Sequence, residues 1–294
     1  MDVNLRTVES DEDYDAWRRV RIAVLPYERA DTVAELRRSA TPTRLFLLAE
    51  RDGVVVGSGS ADRSETAGGG SATVRVTPEY RRRGVGTVLL SRLAAHLHGL
   101  GLPEIRGSVD DPGSLRFAER FSFAEIDRQV EQLRTVGDEP DPGPPPPGIE
   151  VVTVDQRPEL WPAAFERFGQ EALADFAVAN PMRVTAEQWN NSWAGEPMFL
   201  AVAGTEVVGC AGLHRDTDRT ERAENALTAV RRDWRHRGLA GYLKRRTLHW
   251  AATNGVTEVY TWTQRGNADM RRLNEYLGYR YGLQSITVAR PLPL

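Results

Sequence analysis

Two α/β domains in tandem are what this 294-residue chain predicts. Three observations predict it: the second half repeats the first, a run of prolines separates them, and each half alternates short apolar strands with helical stretches. The separator reads "GDEPDPGPPPPG" at 137–148. Proline removes the amide donor and fixes φ, so this segment forms neither a helix nor a central strand and is expected to be an extended, semi-rigid spacer. The expected division is 1–137, a linker at 138–148, and 149–294.

The elements of the two halves run in the same order. "VNLRTV" (3–8) and "IEVVTV" (149–154) alternate as opening strands. Amphipathic helical stretches follow, carrying Trp17 in one half and Trp161 with Phe165 in the other. "RLFLLAERDGVVVGSGSADR" (44–63) and "PMFLAVAGTEVVGCAGLHR" (197–215) each read as two strands joined by a tight turn, at Asp52-Gly53 and Gly204-Thr205. Next come "VRVTPEYRRRGVGTVLL" (74–90) and "LTAVRRDWRHRGLAGYLK" (227–244), each a strand, a glycine loop and the start of a long helix. "EIRGSV" (104–109) and "EVYTWT" (258–263) supply a further strand, and a last helix ends at Phe121-Ser122-Phe123 or Leu277-Gly278-Tyr279.

Composition excludes several classes. A hydrophobic fraction of 40% with 27% charged residues is that of an ordinary globular protein. No run of 18 apolar residues is present to span a membrane. The acidic start "MDVNLRTVESDEDY" lacks the apolar stretch of a secretory signal, so a cytoplasmic setting is expected. Cys210 is the only cysteine, which excludes an intrachain disulfide and a cysteine-ligated zinc site; no metal is expected. A net charge of −3 argues against a nucleic-acid binder. Lys244 is the only lysine among 38 basic residues, so short arginine runs such as 81–83 are expected from composition.

The quoted loops carry chemistry because each opens a helix N-terminus, where amides without internal partners and the helix dipole attract an anion. Gly84 and Gly86 lack Cβ atoms and let a phosphate approach the main chain, and the arginines add charge at the rim. The first loop, Val-x-Val-x-Pro-x-x-Arg-x-x-Gly-x-Gly-x-x-Leu at Val74, Val76, Pro78, Arg81, Gly84, Gly86 and Leu89, resembles the acetyl-CoA motif of the GNAT-type N-acetyltransferases. The second copy matches at Val230, Arg235, Gly238, Ala240 and Leu243 but lacks the proline. The double architecture is similar to that of the tandem transferases typified by mycothiol synthase, and implies two mixed-sheet α/β domains of this type. The resemblance places acetyl-CoA against Val74, Val76, Arg81, Arg82, Arg83, Gly84, Val85, Gly86 and Thr87 in the first half. In the second half it points to Thr228, Val230, Arg235, His236, Arg237, Gly238, Leu239, Ala240, Gly241 and Asn267.

The implied reaction is direct transfer from acetyl-CoA to a small-molecule primary amine. It needs a base for the amine and a donor for the developing oxyanion, which the family takes from a backbone amide of the strand before the loop. Glu224 is the expected base; counting back 154 positions reaches Gly70, so the first half has no carboxylate there, while Asp62 and Glu65 fall on an expected loop. Asn267 matches a cofactor-binding asparagine, and its first-half counterpart is Asp111. Many relatives carry a tyrosine four residues before the closing glycine, where Ala118 and Asn274 stand here. The catalytic candidates are Glu224, Asn274 and Tyr276, and the second half is the expected catalytic one. His214 and Cys210 read as a surface histidine and a small buried hydrophobe, and Trp189 with Trp193 as core, although that region lines the acceptor pocket in the family. A monomer or homodimer with no nucleic-acid or membrane partner is expected; the alternative function is a non-catalytic acyl-CoA-binding module.

Overall fold

The computed structural model describes residues 3–63, 69–176 and 184–294, and of 191 and 192 the backbone alone. It divides into two compact units that are not the two halves of the sequence: Met1–Asp127 with Ser285–Leu294, and Arg128–Gln284.

Unit 1 opens with β1 (Asn4–Thr7) and α1 (Asp11–Val24). A capping box starts α1: Ser10 Oγ accepts from the Asp13 amide, and the Asp13 carboxylate accepts from the Ser10 amide. Thr32 and Glu35 start α2 (Val33–Arg38) in the same way. β2 (Leu45–Arg51) and β3 (Val54–Arg63) form the expected hairpin, turned by Asp52 at φ 53° and Gly53 at φ 77°. β4 (Gly70–Val76), α3 (Val85–Gly99), β5 (Glu104–Val109) and α4 (Pro112–Arg120) follow. Leu47 and Ala49 pack with α3 residues Leu89, Leu93 and Leu97, whereas Phe46 and Leu48 pack with Tyr14 and Trp17 of α1. Covering both faces of the sheet explains why "LFLLA" is continuously apolar. β6 (Ala124–Thr135) begins in unit 1 and continues into unit 2.

Unit 2 repeats the plan. β7 (Glu150–Thr153) leads to α5 (Leu160–Ala164), a single π turn and α6 (Gln170–Phe176). Then come α7 (Ala186–Ser192), β8 (Met198–Ala203), β9 (Glu206–Arg215), β10 (Arg222–Val230), α8 (Leu239–Thr253), β11 (Glu258–Gln264), α9 (Ala268–Tyr276) and β12 (Arg280–Pro291). Trp161 and Trp189 stack at 4.5 Å in its core, each indole N–H donating to the other residue's carbonyl oxygen.

The closing strands are exchanged. Residues 129–135 of β6 lie antiparallel to β11, from Gln264↔Gln129 to Glu258↔Thr135. Residues 286–291 of β12 lie antiparallel to β5. The sheet of unit 1 thus runs β1-β2-β3-β4-β5-β12, and that of unit 2 β7-β8-β9-β10-β11-β6. The proline segment, expected to be an extended, semi-rigid spacer between domains, belongs wholly to unit 2 and is strapped along α8. Tyr242 Oη donates to the Gly143 carbonyl at 2.8 Å, His249 Nδ1 lies 2.9 Å from the Glu139 carbonyl oxygen, and Arg246 reaches Asp141 at 3.3 Å. Prolines leave this strap few amide donors of its own, so its contacts come through carbonyls and acids.

Cutting in the linker therefore separates β5 from β12 and β11 from β6. Residues 128–284 excised as one piece are expected to melt cooperatively by circular dichroism, whereas 149–294 alone is expected to aggregate or stay unfolded. Cooperative melting of 149–294 at the same temperature as 128–284 would show that the exchange is dispensable.

Candidate active site

The two quoted loops share one backbone path. In unit 1 a 3₁₀ turn at Pro78–Tyr80 leads to Arg82 at φ 63° and Gly84 at φ 85°; in unit 2 Arg232–Trp234 leads to His236 at φ 60° and Gly238 at φ 76°. Left-handed residues two apart curl successive amides into a concave, anion-accepting nest. No side chain caps α3 or α8, and their first backbone bonds run from Val88 to Gly84 and from Tyr242 to Gly238. The amides of Val85, Gly86 and Thr87, and of Leu239, Ala240 and Gly241, thus have no partner within their helices. A Cβ on Gly84 or Gly238 would meet nothing within 4 Å, so the backbone angle demands glycine there and leaves open space in front of the loop. Gly86 lies closer to its neighbours, where a Cβ would stand 3.4 Å from Phe117.

The loop side chains divide into staples and rim. Arg81 Nε donates to the Val76 carbonyl at 3.1 Å, and Arg235 Nε to that of Val230 at 2.9 Å. The motif arginine thus ties the loop back to its strand in both units. Val74 and Val76 pack against the α3 core, and Val230 packs with Leu239 and Leu243. Arg82, Arg83, His236 and Arg237 are exposed; Arg83 lies over the Tyr80 ring and Arg237 over that of Trp234. In unit 2, α6 adds counter-charge: Asp175 pairs with both Arg232 and Arg235, and Glu171 accepts from the Arg232 amide at 2.8 Å.

Beside each loop two parallel strands come apart. β4 and β5 pair only at Gly70↔Ile105 and Ser71↔Arg106, and β10 and β11 only from Arg222↔Glu258 to Glu224↔Tyr260. Beyond those rungs the strands diverge and leave a notch. The units then differ. β4 keeps an unbroken register with β3 from Gly57↔Val76 to Arg63↔Gly70. β10 shifts register against β9 between Asn225↔Leu213 and Thr228↔Ala211, so Ala226 and Leu227 form a bulge. A bulge leaves main-chain polar groups outside the ladder. The Thr228 hydroxyl at its edge is buried without a hydrogen-bond partner.

This inserted residue corrects the sequence count. Before the bulge the offset between units is 153, so the counterpart of Glu224 is Ser71, not Gly70. Glu224 occupies the last paired rung of the notch; Tyr260 Oη donates to its carboxylate at 3.4 Å, and His214 lies directly across on β9. Asp62 lies on β3 rather than a loop and accepts from Thr43 and Arg44, while Glu65 falls outside the described residues.

The other two catalytic candidates lie on α9. Tyr276 is 76% exposed on α9, with Arg245 over its ring. Asn274 is fully buried and donates to Gln132 of β6 at 2.9 Å, which makes it part of the seam that receives the exchanged strand. Asn267 caps α9 by accepting from the Met270 amide, and Asp111 caps α4 by accepting from Gly113 and Ser114. Cys210 is buried with its thiol pushed up to about 12 by burial, and Trp189 is fully buried.

Sequence reasoning missed a polar cluster one residue beyond Glu224. Asn225 donates to the Tyr260 carbonyl at 3.1 Å and to Tyr279 Oη at 3.0 Å, bridging β10 to β11 where their pairing ends. Lys244 is 1% exposed, donates to Asn225 Oδ1 at 3.1 Å and lies 5.2 Å from the Tyr279 ring centre. Its place among Leu243, Thr247, Leu248 and Ala251 on the buried side of α8 was the available signal.

The Acetyltransferase (GNAT) family model matches residues 10–123 and 159–279, so the chain belongs to that family, with two copies of its domain. A tandem GNAT protein from the clavulanic acid biosynthesis pathway is similar with TM-score 0.78 at 18% identity, over 100% of both chains. A GCN5-related N-acetyltransferase from Sphaerobacter thermophilus gives 0.72 at 20%, covering 98% of this chain and 95% of that one. A putative acetyltransferase from Pyrococcus horikoshii gives 0.64 at 16%, covering 99% and 90%. These likenesses establish a tandem GNAT fold, and the family establishes acyl transfer as its general chemistry. No curated protein matches by sequence. Among the described residues no helix is long and apolar enough to cross a membrane.

Burial pushes the Lys244 ammonium down to about 7 from 10.5. Between those values the unfolded chain holds a proton that the folded chain has released, so stability is expected to rise with pH across that window. The Lys244 contribution is at most about 1.4 kcal/mol per pH unit. Urea unfolding of wild type and Lys244→Met from pH 7 to 9 measures it, and the variant should lose that part of the rise.

Proposed function

We propose that unit 2 is an acetyl-CoA-dependent N-acetyltransferase that moves an acetyl group directly to a primary amine of a small molecule. The bulge at Ala226 and Leu227, beginning two residues after Glu224, carries this reading. Acetyl-CoA would supply the acyl group as an activated thioester. The open amides at 239–241 and the left-handed pair His236 and Gly238 suit a pyrophosphate, and exposed Arg237 adds charge at its edge.

Three tasks then fall to the chain. A main-chain amide released by the bulge donates to the oxygen on which charge develops, an interaction whose loss costs roughly 2.7–4 kcal/mol where one such donor is removed. Glu224 removes the proton that keeps the acceptor amine from attacking. The leaving thiol has a pKa near about 8.5, so the thiolate departs without a dedicated acid; Asn274 is buried against Gln132. In unit 1 the strand is regular and Ser71 replaces Glu224. That unit is a scaffold, or binds acyl-CoA without turnover.

Thiol release with an amine panel tests the activity, and its absence for every amine would favour the acyl-CoA-binding alternative. Glu224→Gln is expected to lower kcat/KM by roughly 10²–10⁴-fold. The loss should shrink at high pH, where free amine needs no base, and acetyl-CoA affinity measured by calorimetry should stay unchanged.

Gly238→Val forces a β-branched residue to φ 76° and should abolish turnover, whereas Gly84→Val should spare it. The reverse pattern in steady-state kinetics moves the chemistry to unit 1.

A further inference from the structure

The two units present different chemistry at one matched place in their sheets. In unit 2, Cys210 of β9 faces Ala229 of β10 across the ladder, beside the tryptophan core. At the matching rung of unit 1, Ser58 of β3 faces Arg75 of β4. Ser58 is fully buried and its hydroxyl has no partner. Arg75 lies 5.4 Å from the centre of the Trp17 ring, and its Nη1 is shielded from solvent without a hydrogen bond. Arg21 of α1 donates through Nη2 to Glu28 at 2.8 Å, yet its Nη1 is equally shielded and unpartnered. Buried donors are nearly always satisfied, so three orphans in one region call for an acceptor.

The charges around them describe that acceptor. Arg21 stands one turn after Trp17 on α1, and Arg75 lies over the Trp17 ring, so both cations lie on the side of α1 that meets β4. Burial lowers Arg75 to about 10, and the positive charge of Arg21 is the next largest influence. Glu28, Asp110 and Asp31 act on Arg75 in the opposite sense, with Asp31 already held by Arg29 at 3.0 Å. Glu28 is itself pushed up by burial, with Arg21 and Asp110 next in effect. The side chains of Arg21 and Glu28 keep 14% and 19% of their surface in contact with solvent, which leaves a way in. We infer that unit 1 holds a binding site for a small carboxylate, accepted by Arg21 Nη1 and Arg75 Nη1 with the Ser58 hydroxyl as third donor. Planar guanidinium forks match the two oxygens of a carboxylate better than a spherical anion.

Differential scanning fluorimetry and calorimetry on the full chain without acetyl-CoA test this, independently of any activity of unit 2. The probes are acetate, succinate and glutamate, with chloride and phosphate at matched ionic strength as controls. At least one carboxylate should bind saturably, and Arg75→Leu and Arg21→Gln should each weaken it about tenfold or more, the scale of a charge-assisted hydrogen bond. Replacing a buried cation by an apolar residue is often tolerated, so Arg75→Leu should fold; Arg21→Gln decides if it does not. Ser58→Ala should weaken binding severalfold without moving the pH dependence. No saturable carboxylate binding, equal binding of phosphate, or undiminished binding in Arg21→Gln overturns the assignment.

Discussion

A pair of parallel strands that parts after a few rungs is the constraint on which both units depend. β10 and β11 pair from Arg222 to Glu224 and then diverge, and the proposed transfer site lies around that opening. The loop to α8 lies at the far end of β10, the bulge between, and Glu224 at the closed end. Such an opening must be held, because unpaired strand edges are costly unless something occupies them. Asn225 holds its closed end with two side-chain hydrogen bonds, to Tyr260 of β11 and to Tyr279 between α9 and β12, backed by Lys244. A buried amine is a costly support, and its single acceptor ties α8 to the point where the strands part.

Around a common frame the two units have diverged in opposite senses. Unit 2 has polar residues at the notch and an apolar opposite face, where Trp161, Trp189, Cys210 and Ala229 pack. Unit 1 has Ala72 in place of Asn225, Leu90 in place of Lys244, and an ionic face with Arg75 and Arg21. The glycine loops, by contrast, agree to within about ten degrees of φ at both left-handed positions, from 63° and 85° to 60° and 76°. Backbone paths that require particular residue types persist while side-chain chemistry changes around them.

That contrast explains what could be read in the sequence. Hairpins, loops and helix starts were legible because each depends on residue types at fixed spacing, such as Asp52-Gly53 or Gly84. The exchange of β6 and β12 was not, since "AEIDRQVEQLRT" and "RYGLQSITVARP" pair with β11 and β5 through main-chain bonds that carry no residue code. The bulge was hidden for another reason: one inserted residue before Thr228 leaves the later offset of 154 intact, and a uniform count passes over it. Asn274 and Tyr276 were chosen by position along α9, but only burial and the partner Gln132 separate the seam residue from the exposed one.

The strand exchange also sets an order of events during synthesis. Unit 1 has nearly all its residues by Asp127, yet the strand that completes its sheet ends only at Pro291. At ribosomal speeds of about 5–20 residues per second, the outer edge of β5 stays open for on the order of ten seconds or more. During that interval β6 emerges before its own partner β11 exists, beside an open strand of the wrong unit. A transient β5–β6 pairing would keep each half closed on itself, so the native arrangement is reached by a late choice between strands. The emergence of residues 286–291, rather than local propensity, is then the event that lets unit 1 become whole.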